Sequence, residues 1–193
     1  MHPQLDAIAA EFQGGTERLH RLAQVVPADR WAERPAPERW SVGECVAHLN
    51  LTTAAFRPLV ERSLEEARGM PRPTGPPKYN RGLLGGLLWR ALSRPGRFRT
   101  RTAAAFVPGA VASPDAAVEE FERLQVEQIG WVRAADGLPL TAVRLVSPFD
   151  RRVRYNLFAC LSILARHQQR HLWQAEEAWT QLAQRQGAPD GID

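Results

Sequence analysis

The chain has 193 residues, 44% of them apolar and 24% charged, a composition that fits one globular domain and excludes wholesale disorder. Two cysteines, Cys45 and Cys160, are too few for a disulfide framework or an all-cysteine zinc site. Charge is 25 basic against 21 acidic residues, and Lys78 is the one lysine among the arginines.

Leu5, Ile8, Phe12, Gly15, Leu19, Leu22 and Val26 recur at spacings of three and four, which predicts a first helix over residues 4–26 with one buried stripe. Gly14-Gly15 weakens that helix and predicts a kink or a close helix approach. Asp6 and Glu11 interrupt its apolar stretch, so no signal peptide is expected. After a proline-rich loop, Ser41-Val42-Gly43-Glu44 reads as a capping box opening a second helix from Val42 to about Arg68, with Pro58 able to bend it.

Residues 69–81 carry four prolines and predict a linker. Gly82–Leu92 reads as a short apolar helix covering the bundle, too short to span a bilayer. No acidic residue lies between Glu66 and Asp115, a stretch that holds Arg68, Arg72, Lys78, Arg81, Arg90, Arg94, Arg97, Arg99 and Arg101. The rest of the chain has 16 basic and 21 acidic residues, so the positive charge is concentrated here. Such a run fits a solvated insertion, or a segment that docks something acidic. Few aromatics accompany it, so no nucleic-acid partner is expected.

Ser113-Pro114 starts a third long helix that buries Ala117, Phe121, Leu124, Gln128, Trp131 and Ala135 and stops at Gly137. Residues 138–155 alternate loosely about Pro148-Phe149-Asp150 and predict a small hairpin. Asn156 caps a last helix to about Gln186, with a stripe through Leu157, Cys160, Leu161, Leu164, His167, His171, Ala175, Ala178 and Leu182. Four long amphipathic helices predict an all-α protein with a helical-bundle architecture.

Of five histidines, His2 and His20 read as surface residues. His167 and His171 stand four apart on the apolar stripe of the last helix, and His48 lies on the stripe of the second. Buried imidazoles without partners cost about 1–3 kcal/mol each, and a divalent cation removes that cost. Three facial histidines leave a position open, as a catalytic metal requires. On spacing alone, histidines on an apolar stripe are more often satisfied core residues than ligands. The residues between the last pair, Gln168-Gln169-Arg170, exclude the zincin motif, and no P-loop, dinucleotide fingerprint or serine elbow occurs.

Arg39-Trp40-Ser41-Val42-Gly43-Glu44-Cys45-Val46-Ala47-His48-Leu49 resembles the segment that opens the second helix of DinB-like proteins. His167-Gln168-Gln169-Arg170-His171-Leu172-Trp173-Gln174 resembles the histidine segment on that family's last helix. The resemblance implies a single domain over residues 1–193, a four-helix bundle of up-down-down-up topology with an irregular insertion at about 69–112. It also implies a homodimer, and one divalent transition metal (zinc, nickel or iron) on His48, His167 and His171. Relatives of this kind include transferases and isomerases that use low-molecular-weight thiols such as bacillithiol and mycothiol.

The expected function is thus a metal-dependent thiol transferase acting on a small electrophile in the cytoplasm, with no membrane partner. The alternatives are a hydrolase using a water activated on the metal, and a non-catalytic bundle that binds a metal or ligand. Around the histidines, Glu44 reads as a helix cap or as a group orienting His48, and Gln174 as a partner of a ligand or a packing residue. Cys45 and Cys160 read as core fillers rather than ligands. Trp40 and Trp173 are expected to pack at the ends of the pocket. Arg166 and Arg170 read as surface residues that could meet a substrate carboxylate.

Overall fold

A computed structural model describes residues 1–75, 77–93 and 102–187. Arg94, Arg97, Arg99 and Arg101, the densest part of the basic run, lie outside the described residues.

The protein is predominantly helical. Helix α1 spans Pro3–Val25, α2 Val42–Gly69, α3 Gly82–Leu92, α4 Pro114–Ala134 and α5 Leu157–Gly187. Strands β1 (Arg144–Val146) and β2 (Arg154–Asn156) pair antiparallel with Leu145 opposite Tyr155, and both of these side chains are buried. Among the described residues, no helix is long and apolar enough to cross a membrane.

Local chemistry accounts for the boundaries. Nδ1 of His2 accepts from the Gln4 backbone N–H at 3.2 Å, so this histidine caps α1. Both halves of the Ser41–Glu44 capping box are formed at the start of α2. Ser113 caps α4 with Pro114 in the first turn, and Gly137 beyond its end takes φ +74°, open to glycine at no steric cost. The side-chain oxygen of Asn156 accepts from the Ala159 N–H at 2.8 Å, fixing the start of α5.

Helices α1 and α2 each pack against both α4 and α5. The close approach expected at Gly14-Gly15 occurs at Gly15, where an added Cβ would lie 3.1 Å from the Gln168 side chain. Helix α3 lies on the outer side of α5, and a Cβ at Gly85 would stand 2.5 Å from that of Ala159. With α3 in place, every residue from Leu157 to Ala165 is buried, so the first nine residues of α5 are buried on all sides and carry no single stripe.

The apolar interior is divided in two. One cluster gathers Leu5, Phe12, Phe56, Trp131, Leu140 and Phe158; the other gathers Leu19, Trp31, Val46, Phe121 and Leu172. On each long helix the residues between the two clusters include small or polar ones: Gly15, Thr52 and Thr53, Gln125 and Gln128, His167 and Gln168. Gln125 and Gln168 bond each other across this layer, and Gln125 also donates to the Phe12 carbonyl. The histidines sit at one side of it.

Candidate metal centre

The capping box sets the phase of α2 so that His48 faces α5, one turn beyond Glu44. On α5, His167 and His171 stand one turn apart. The three rings converge: centroids are 4.4 Å apart for His48–His171 and for His167–His171, and 5.1 Å for His48–His167. One ring nitrogen from each lies within 4.8 Å of the other two. Nε2 of His48 and Nε2 of His167 are 3.3 Å apart. Two nitrogens each ~2.1 Å from one tetrahedral cation would stand roughly 3.4 Å apart, so this spacing fits a shared ion.

The hydrogen bonds define the donor set. Nδ1 of His48 lies 2.8 Å from the backbone oxygen of Phe106. A carbonyl only accepts, so Nδ1 carries the proton and Nε2 presents its lone pair towards His167. Nδ1 of His171 is buried and has no hydrogen-bond partner among the described residues. An orphaned imidazole nitrogen beside two others is what a bound cation would satisfy.

Electrostatics point the same way. Burial holds the His48 pKa below the ordinary value, with the Phe106 carbonyl opposing it. Burial, then His48, then Arg170 push His167 down to about 3. Burial foremost, then His167, His48 and Arg170, hold His171 well below 6.5, and Gln174 works in the other direction. All three imidazoles are therefore neutral at pH 7, the form that donates to a metal. His167 keeps some accessible surface, while His48 and His171 are 1% and 8% exposed.

Aromatic side chains wall the site. Trp40 packs 4.9 Å from His48 and 5.9 Å from His171, between ring centroids. Phe149 lies 5.7 Å from His167 and 4.1 Å from Phe106. Trp40 packs at the pocket as its place in the sequence predicts, whereas neither phenylalanine is marked there. Phe149 sits in the hairpin turn and Phe106 in a single 3-10 turn, Ala104–Phe106, within the irregular insertion. A backbone carbonyl leaves no mark in a sequence, so nothing pointed to Phe106.

The remaining candidates divide. The Glu44 carboxylate accepts from the Ser41 N–H at 2.9 Å and from Arg34 Nε at 2.8 Å. Burial pushes its pKa up, but Arg34 and Ser41 outweigh burial and hold it below the usual range. Its contacts are those of a cap and an ion pair. Gln174 lies near enough to His171 to affect its basicity, though it makes no hydrogen bond to the buried Nδ1. Both cysteines are buried, outside the histidine cluster, and burial pushes their thiols up. Arg166 pairs with Glu11 at 2.8 Å and packs over Trp89. Arg166, Arg170 and Trp173 line an open cleft of about 550 Å³ between α1 and α5, together with Arg18 and Arg21. His20 is exposed and meets Glu122 at 2.5 Å.

A family model described as the DinB superfamily matches residues 11–175, which include all three histidines. Comparison with curated proteins and with solved structures returned no match.

Proposed function

Because the chain belongs to the DinB superfamily, we propose that it is a metal-dependent enzyme whose three histidines hold one divalent transition metal (zinc, nickel or iron). The observation that carries this reading is the convergence of His48, His167 and His171 around one point, with Nε2 of His48 held as a lone-pair donor. A bound cation would supply Lewis-acid chemistry and favour the deprotonated form of a thiol or water beside it.

The protein's own residues do the rest. His48 and His167 set the donor positions on α2 and α5. Trp40, Phe106 and Phe149 shield two sides from water, and the partial exposure of His167 marks where a small molecule enters. The reaction is transfer of a low-molecular-weight thiol to a small electrophile in the cytoplasm. The domain is a single up-down-down-up bundle over residues 1–193, acting as a homodimer with neither nucleic acid nor membrane as partner.

The test is turnover of an activated electrophile by protein loaded with zinc, nickel or iron, with and without a thiol. Thiol-dependent consumption, lost in His171→Ala, is the expected result. Turnover without thiol assigns hydrolysis instead, and metal binding without turnover assigns a non-catalytic binding protein.

A further inference from the structure

Resting on the metal reading above, we propose that a small internal cavity beside His167 holds one ordered water, bonded by Thr52 and Gln128, which orients His167 as a ligand. The cavity has about 10 Å³ of room and is lined by Leu49, Thr52, Phe121, Gln128, Leu164 and His167, with Thr53 and Gln168 completing the wall. That is enough for one water molecule and nothing larger.

A metal-bound histidine normally gives its second N–H to an acceptor, which fixes the tautomer and the ring angle. His48 has the Phe106 carbonyl for this purpose. Nε2 of His167 faces His48, so Nδ1 is the nitrogen that still needs an acceptor. No protein acceptor meets it among the described residues.

The wall carries the polar groups a water needs. The Thr52 hydroxyl is buried, the residue being 2% exposed, and it has no hydrogen-bond partner among the described residues. Gln128 is 4% exposed, and its amide bonds no described residue. Their neighbours are already engaged: Thr53 donates to the Leu49 carbonyl and Gln168 to Gln125. A water here accepts from Nδ1–H of His167 and bonds Thr52 and Gln128, which gives the buried Thr52 hydroxyl a partner and His167 its acceptor. Thr52 follows His48 by four residues, so one face of α2 supplies both a ligand and the support of a second ligand.

Thr52→Val keeps the shape and removes the hydroxyl, and Thr52→Ser restores it. Zinc affinity, read by competition with a chromophoric chelator, is expected to fall about 10-fold in Thr52→Val and to stay within about twofold in Thr52→Ser. The melting temperature in chelator should match the wild type in both. A crystal structure of the wild-type protein should show one water within hydrogen-bond distance of Thr52 and Gln128. Equal zinc affinity in wild type and Thr52→Val, or a dry cavity, overturns this inference while leaving the metal site standing. A wild-type protein that binds no divalent metal overturns the metal reading and this inference with it.

Discussion

Nδ1 of His48 donates to the backbone oxygen of Phe106 across 2.8 Å, which ties a residue of the insertion to the metal-site candidate. The Phe106 ring packs on Phe149, and that contact anchors the carbonyl. Phe106→Ala should leave the carbonyl chemically present but loosely held. Zinc or nickel affinity is expected to fall about 10-fold, the usual effect of losing a group that orients a ligand. Chelator competition checks it, and an unchanged affinity would show that the carbonyl is not the orienting group.

Metal binding should be visible in stability. A ligand present at 100 times its Kd stabilises the folded state by about 2.7 kcal/mol, or roughly 5–10 °C in Tm for a chain of this size. Calorimetry should show that shift in wild type on adding zinc and its loss in His167→Ala. In chelator the variant should melt close to the wild type. If His167→Ala destabilises equally in metal and in chelator, the three histidines are core residues and nothing more.

The caps and apolar stripes made the helices legible. Leu5, Ile8, Phe12, Leu19 and Leu22 are buried as their spacing predicts, and Ser41, Ser113 and Asn156 sit at helix starts. The meeting of His48 with His167 and His171 was legible too, because α-helical phase put each on an inward face. Three things were not. Phe106 acts through its backbone, which any residue could supply. Phe149 reaches the site only because the short hairpin turns it inward. The polar layer of Thr52, Gln125, Gln128 and Gln168 looks like ordinary interruptions of three separate stripes, and only packing brings them to one level.

Acid should unfold the metal-free protein earlier than its carboxylates require. An unfolded histidine titrates near 6.5, whereas folded His167 is held down to about 3, with His48 and His171 also lowered. Between those values the unfolded chain binds more protons, so stability is fully present above pH 6.5 and falls as pH drops below it. Glu44 acts in the same direction, but only below its ordinary value of 4.5. Burial raises Glu11, which opposes this trend at the acid end, so the comparison with His167→Ala between pH 6.5 and 5 is what reports the histidines. Urea midpoints in chelator should fall through that window in wild type and less steeply in His167→Ala. A flat wild-type profile there would show that the imidazoles are protonated in the folded state.

Glu44 separates a structural role from a role at the metal. Its carboxylate is engaged by Ser41 and Arg34. Glu44→Ala should cost about 1 kcal/mol through the lost cap, and the half-exposed arginine adds little. Zinc affinity should change less than twofold. An affinity loss of 10-fold with an unchanged Tm would instead make Glu44 an orienting group for His48.

Gly85 and Ala159 decide whether α3 belongs to the fold of the site. A methyl at position 85 would stand 2.5 Å from the Ala159 Cβ, closer than two carbons can pack. Because the Ala159 Cβ cannot move without its helix backbone, Gly85→Ala should destabilise by about 1–3 kcal/mol, the usual range for overpacking. Ala159→Gly removes the opposing methyl, so the double variant should regain most of the loss, apart from roughly 1 kcal/mol for a glycine inside α5. Ala159 lies eight residues before His167 on the same helix, so a displaced α3 exposes the segment that holds both α5 histidines in place. Thermal melts of the four proteins measure the coupling. Strict additivity of the two substitutions would mean that α3 does not pack on α5 at Gly85.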